Sequence, residues 1–252
     1  MRTSERNSSG RGACGVAWVN AAANNRSCTG LPGNKHNASL VRAHEPGNGA
    51  MASIYDLKPA FQGLLRPLTR ALFAVGVTAN IVTIAAAVLS LVAGSALALQ
   101  PASRGALLLL PAALLARMAL NAIDGMLARE HGQKSRLGAL LNELGDVVSD
   151  AALYLPLALV PGFDPRLVVG IVVLAALSEM TGVLGPTIGA SRRYDGPMGK
   201  SDRAFAFGLL ALLLGLGVKP GTWLVVIQGA ILALLLVTVW NRAARALREA
   251  EA

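Results

Sequence analysis

Residues 121–150 read NAIDGMLAREHGQKSRLGALLNELGDVVSD and join two apolar segments through a short polar connection. Side chains three or four positions apart share one face of a helix, so the acids and amides of this stretch fall into two stripes. The first stripe is Asn121 and Asp124, and the second is Asn142, Asp146 and Asp150. An acid in a bilayer core is unfavourable by a few kcal/mol or more unless it pairs, binds a cation or faces a polar cavity. These side chains therefore mark a candidate functional site.

Two such stripes facing each other would form a cage of oxygen atoms, the ligands that Mg²⁺ and similar hard cations prefer. The connection carries Lys134 and Arg136, and Arg129 ends the first segment. Cations beside metal-binding acids indicate an anionic, phosphorylated substrate. The alternative is a purely structural cluster of polar contacts between helices.

The same stretch contains a long gapped pattern of residues. Its fixed positions are Asp124, Gly125, Ala128, Arg129, Gly138, position 142 and Asp146. This pattern resembles the signature of the class I CDP-alcohol phosphatidyltransferases, and the resemblance covers residues 55 to about 245. It implies a metal-dependent membrane transferase in which four aspartates hold two divalent metal ions, Mg²⁺ or Mn²⁺, around a CDP-linked substrate. The last aspartate is also the general base in that family, a role that falls on Asp146.

Asparagine stands at two of the four aspartate positions of the signature. The resemblance implies metal ligands at Asn121, Asp124, Asn142 and Asp146, and substrate contacts at Gly125, Ala128, Arg129 and Gly138. An amide oxygen still ligates a metal but adds no charge, so we expect a weaker affinity for metal. Asp150, one turn beyond Asp146, is expected either to replace part of that charge as a metal ligand or to support the metal ligands through a hydrogen bond, and it is a second candidate for the catalytic base. A degenerate relative without catalytic activity is the alternative.

Composition indicates an integral membrane protein. The 252 residues are 54% hydrophobic and only 15% charged, which exceeds the apolar share of ordinary soluble domains. The net charge of +9 is scattered between apolar segments, so it favours loops that meet anionic lipid over binding to nucleic acid.

The predicted fold is all-α, with six transmembrane helices preceded by an amphipathic interfacial helix. The spans are expected at 78–98, 105–127, 137–160, 167–189, 204–218 and 221–240, since about 20 residues cross a bilayer core. From Ile54 to about Leu72 apolar residues share one face, which is typical of a helix lying in the interface. Pro67 is expected to break or kink that helix. An ordinary loop leading into the membrane is the alternative.

The chain divides at Met51 by composition. Residues 1–50 are rich in Ser, Asn, Gly and Arg and contain no apolar run, so they are predicted to be a disordered tail or a mis-started extension. Residues 51–252 are predicted to form the six-helix transferase domain. Most Lys and Arg fall in 129–136, in 192–203 and near the two ends, which predicts a multi-pass protein of a bacterial-type inner membrane with both termini cytoplasmic.

The segment 191–203 reads SRRYDGPMGKSDR and lies on the same predicted side as the acidic stripes. Arg192, Arg193 and Lys200 are candidate contacts for substrate phosphate, although basic cytoplasmic loops also arise from topology alone. Glu179 is an acid inside the fourth predicted span. It is expected either to line the acceptor cavity or to make a polar contact between helices.

The leading functional prediction is transfer of a phosphatidyl or phospho-alcohol group from a CDP-linked donor to an acceptor hydroxyl, with release of CMP, in phospholipid biosynthesis. The donor is CDP-diacylglycerol or another CDP-alcohol, and the sequence does not identify the acceptor alcohol. The resemblance implies a homodimer in the lipid bilayer. The alternatives are a non-catalytic lipid-binding relative and an ion-coupled transporter, although the sequence shows no clear repeat of the kind that transporters often contain.

Overall fold

A computed structural model describes residues 54–251, with side chains from residue 61 onward. All regular structure in this part of the chain is helical, which confirms the all-α prediction. The helices are α1 (Ile54–Ala74), α2 (Ala79–Leu99), α3 (Arg104–Glu130), α4 (Arg136–Tyr154), α5 (Pro165–Leu184), α6 (Lys200–Gly215) and α7 (Thr222–Ala250). Short 3₁₀ segments at Leu155–Leu159 and Gly185–Ile188 continue α4 and α5. The predicted tail, residues 1–50, lies outside the described residues.

Each of the six predicted spans corresponds to one helix from α2 to α7. Among the described residues, four helices are long and apolar enough to cross a membrane: α2, α3, α5 with its 3₁₀ continuation, and α7. The helix α4 carries the acids of the second stripe, and α6 has only 16 residues. The count of six spans therefore stays a prediction.

The segment before the first span is a helix and not a loop. Helix α1 continues past Pro67 to Ala74, so Pro67 does not break the helix, and a kink at this residue stays a prediction. The expectation that α1 lies in the membrane interface stays a prediction.

Short polar side chains begin four of the helices. Thr78, Ser103, Ser135 and Asp164 each accept a hydrogen bond from a backbone N–H in the first turn of the helix that follows. Such caps satisfy amides that have no partner inside the helix and typically stabilise a helix by about 1 kcal/mol. Ser135 matters most for the site, since it fixes where α4 begins and hence the register of the second acidic stripe.

The helix α2 positions the two helices that carry the acids. It packs against both α3 and α4, while α3 also packs against α6 and α5 packs against α7. At the crossing of α2 and α4, Gly94 lies directly against the backbone carbonyl of Ala152, so a Cβ atom at position 94 would overlap that carbonyl. Farther along, Tyr154 of α4 stacks on Phe207 of α6 with 4.5 Å between ring centroids.

We expect Gly94→Ala to destabilise the protein by about 1–3 kcal/mol, because the added methyl group has to push two packed backbones apart. Gly229→Ala is the matched control, since nothing lies within 4 Å of a Cβ atom at position 229 of α7. The control should be neutral or slightly stabilising, because Ala favours a helix over Gly by up to about 1 kcal/mol. Thermal unfolding in detergent measures both variants, and equal stabilities would contradict the proposed close crossing.

Candidate functional site

Asp146 of α4 lies at the centre of the candidate site. Its Oδ1 atom accepts a hydrogen bond from Nδ2 of Asn121 at 3.2 Å and forms an ion pair with Lys200. A guanidinium nitrogen of Arg117 lies 3.5 Å from the same oxygen. The contacts made to this carboxylate by other described side chains all go to Oδ1. The lone pairs of Oδ2 therefore remain for a proton or a metal ion.

Asp124 of α3 is the second carboxylate of the site and is 5% exposed. The hydroxyl of Thr83, from α2, donates to its Oδ2 atom at 2.8 Å. Asn121 lies one turn before it on the same helix and reaches across to α4. The structure thus brings together Asn121, Asp124 and Asp146, while Asn142 is half-buried on α4 one turn before Asp146.

Asp150 is held by two buried guanidinium groups. Its Oδ1 atom accepts from Arg117 at 2.5 Å, and its Oδ2 atom accepts from Arg203 at 2.7 Å. The exposed fractions of Arg117 and Arg203 are 2% and 0%. Buried charges need such pairing, and removal of one partner is strongly destabilising. This geometry favours a structural role for Asp150 over the predicted role of metal ligand or base.

The chain of ion pairs continues from Arg203 to two further helices. Arg203 also contacts Glu179 of α5 at 3.0 Å, and Arg242 of α7 lies 3.4 Å from the other oxygen of Glu179. Arg242 in addition donates to the carbonyl oxygen of Ser178 at 2.5 Å. Of the two roles predicted for Glu179, this arrangement favours the polar contact between helices.

The predicted phosphate-binding arginines lie in ion pairs of their own. Arg192 pairs with Glu143 of α4 through both terminal guanidinium nitrogens. Arg193 contacts Asp195 at 2.8 Å and Glu249 at 2.5 Å. Burial alone would raise the pKa of Asp195, but hydrogen bonds from Arg193 and Arg245 outweigh it and hold this pKa below its usual range. These contacts fasten the loop before α6 to α4 and α7.

The small residues of the signature allow close approaches. A Cβ atom at Gly125 would lie 3.0 Å from a guanidinium nitrogen of Arg129, which folds back over this glycine. At Gly138 a Cβ atom would lie 2.7 Å from Oδ1 of Asn80, so this glycine allows α4 to approach α2. Ala128 packs against the small apolar cluster formed by α2 and α3. The structure thus gives Gly138 and Ala128 packing roles, whereas Arg129 is exposed.

The donor set decides which metal chemistry this site can support. No cluster of three or more His, Cys, Asp or Glu side chains suited to a metal ion occurs in residues 54–251. Two carboxylates and two amides, on helices that meet at the Asn121–Asp146 hydrogen bond, offer the kind of oxygen donor that a hard divalent cation prefers. Such ions accept a small number of protein oxygens and complete their shell with water and phosphate.

Three side chains of this network were not identified from the sequence: Thr83, Arg117 and Arg242. The sequence does contain a signal for Arg117, since an arginine within a predicted span is expected to face a polar partner inside the protein. The sequence contains no such signal for Thr83, because the hydroxyl of a threonine on an apolar helix commonly donates to a backbone carbonyl of the same helix.

Two sequence comparisons match most of this chain. A sequence model of the CDP-alcohol phosphatidyltransferase family matches residues 76–241. The inner membrane protein YnbA of Escherichia coli (strain K12) is 47% identical over 190 residues, which are 75% of this chain and 94% of that protein.

Solved structures share the fold. The phosphatidylinositol phosphate synthase PgsA1 of Mycobacterium tuberculosis, in complex with manganese and citrate, superposes with a TM-score of 0.60 at 22% identity, over 72% of this chain and 88% of that chain. The same enzyme with CDP-DAG bound gives a TM-score of 0.57 at 21% identity, over 73% and 92% of the two chains. The signature read from the sequence, the all-helical fold and the matched region lead to one conclusion: this chain belongs to the CDP-alcohol phosphatidyltransferase family.

Proposed function

We infer that the protein transfers a phosphatidyl group from CDP-diacylglycerol, or a phospho-alcohol group from another CDP-alcohol, to an acceptor hydroxyl in phospholipid biosynthesis. The observation that carries this proposal is the pair Asp124 and Asp146, which lies on the family signature and on facing helices. A related fold has been solved with CDP-DAG bound, which supports a CDP-linked donor here.

Asp146 is proposed as the general base. Its Oδ1 atom is fixed by Asn121 and Lys200, so Oδ2 is oriented to take the proton of the acceptor hydroxyl. The acceptor oxygen then bonds to the phosphorus next to the alcohol or lipid, and the bond from that phosphorus to the oxygen of the leaving CMP breaks. A bound Mg²⁺ or Mn²⁺ would neutralise the diphosphate, as metal ions do in phosphoryl transfer.

The other residues of the site hold the substrate or the metal ion. Asp124, fixed by Thr83, and the amide oxygens of Asn121 and Asn142 are the proposed metal ligands beside Asp146. Arg129, folded over Gly125, is proposed to contact the diphosphate, since a guanidinium pairs well with phosphate oxygens. Arg192 and Arg193 are proposed to shape the loop before α6, because acids already pair with both.

The setting of this reaction follows from the helices and the basic loops. We propose a multi-pass protein of the inner membrane with both termini in the cytoplasm, where CDP-linked donors are made. The similarity to an inner membrane protein and the four apolar helices support the membrane assignment. A homodimer is proposed from the family resemblance. A panel of substrates would identify the acceptor alcohol.

We expect purified protein to release CMP from CDP-diacylglycerol in the presence of Mg²⁺ or Mn²⁺ and one of a panel of acceptors that includes glycerol phosphate, inositol phosphate and serine. Asp146→Asn should lower single-turnover CMP release by about 100-fold or more, because the base is lost while the shape is kept. Asp164→Asn, which changes only the cap of α5, should keep full activity, since Asn also caps helices well. No CMP release with any donor and acceptor would favour the non-catalytic lipid-binding relative.

We expect Asp150→Asn to destabilise the protein by about 3–5 kcal/mol, because Arg117 and Arg203 would remain buried without their shared carboxylate. Excess Mg²⁺ or Mn²⁺ should not restore this stability. Unfolding in detergent measures the effect, again with Asp164→Asn as the control. A stable Asp150→Asn variant whose activity returns with added metal would make Asp150 a metal ligand.

A further inference from the structure

The candidate site contains a cation of its own. Lys200 is the first residue of α6, and its ammonium group pairs with Oδ1 of Asp146. Its side chain is 28% exposed and is therefore only partly buried.

Hydrogen bonds fix the backbone that leads into Lys200. The amide of Met198 donates to the hydroxyl of Thr238 on α7 at 3.0 Å, and the carbonyl oxygen of Met198 accepts from Arg203 at 3.3 Å. The amide of Gly199 donates to Asp202 at 2.9 Å. These bonds tie the start of α6 to α7 and to the buried ion pairs, so they fix the backbone from which Lys200 reaches Asp146.

The charges of the site favour a single divalent cation. Asp124 and Asp146 bring two negative charges, and Lys200 returns one positive charge. Asn121 and Asn142 are neutral, and Asp150 is occupied by Arg117 and Arg203. One divalent ion would leave this group of side chains with a single net positive charge, whereas a second would have to bind beside an ammonium group without a carboxylate to balance it.

We propose that this site holds one divalent cation and that the ammonium group of Lys200 supplies the second positive charge facing the diphosphate of the substrate. The contact between Lys200 and the diphosphate rests on the proposed function. The number of bound metal ions, and the effect of Lys200 on the affinity for metal, can be measured without turnover. Lysine serves as a fixed point charge for phosphate in other sites, so its chemistry suits this role.

The test is a Mn²⁺ titration of the purified full-length chain in detergent, followed by electron paramagnetic resonance of the free ion. We expect one Mn²⁺ per chain. Lys200→Gln should tighten Mn²⁺ binding by about fivefold or more, because like charges a few ångströms apart repel strongly in a partly buried site. Lys200→Arg keeps the charge and should stay near the affinity of the unmodified chain. Lys219→Gln, an exposed lysine in the loop before α7, should also leave the affinity unchanged.

A combined variant tests the number of ions directly. Asn121→Asp and Asn142→Asp together with Lys200→Gln restore two carboxylates and remove the ammonium group, and this variant should bind two Mn²⁺ per chain. Two ions or none in the unmodified chain, or weaker binding by Lys200→Gln, would overturn the proposal. Single-turnover CMP release on the same preparations separates the two ideas. One bound ion without CMP release would refute the transferase activity alone, and CMP release with two bound ions would refute the single-ion proposal but not the transferase activity.

Discussion

The carboxylate of Asp150, held between Arg117 and Arg203, is the interaction on which the arrangement of the helices depends. It joins α3, α4 and α6, and the contacts from Arg203 to Glu179 and from Glu179 to Arg242 extend it to α5 and α7. In a membrane protein the apolar faces of helices gain little by leaving lipid, so paired polar groups and close packing specify which helices meet. Each of these charges is unfavourable alone, and only the assembled fold pairs them all.

This network also sets the electrostatics of the candidate site. Arg117 contacts both Asp150 and the backbone carbonyl of Asp146, at 2.5 and 3.0 Å, so the structural ion pairs and the proposed catalytic residue Asp146 share one side chain. The same network fixes Arg203, whose bond to Met198 positions the start of α6 and with it Lys200. The fold and the candidate site therefore share these residues, and a substitution at Asp150 is expected to disturb both.

Replacing an aspartate by asparagine keeps the shape of a metal ligand but removes its charge. At position 121 the replacement also adds a hydrogen-bond donor, because the amide nitrogen of Asn121 donates to Asp146. An aspartate at position 121 would instead repel the carboxylate of Asp146. The amide thereby brings α3 and α4 together where two carboxylates would need a cation between them. Because a hydrogen bond joins the two helices here, the fold does not require a metal ion between positions 121 and 146.

The sequence by itself determined the helical class, the family and the place of the acids, because helical periodicity and a gapped signature are local properties of the chain. It predicted Asp124 and Asp146 on facing stripes, which the fold brings together through Asn121. Only the tertiary structure decided the partners of each charge. Asp150, Glu179 and Arg193 look like ligands or substrate contacts in the sequence, yet each lies against oppositely charged groups from helices that are distant along the chain. Pairing between buried charges depends on the packing of α3 to α7. A local sequence pattern does not indicate which residue, distant along the chain, will lie beside a given charged side chain.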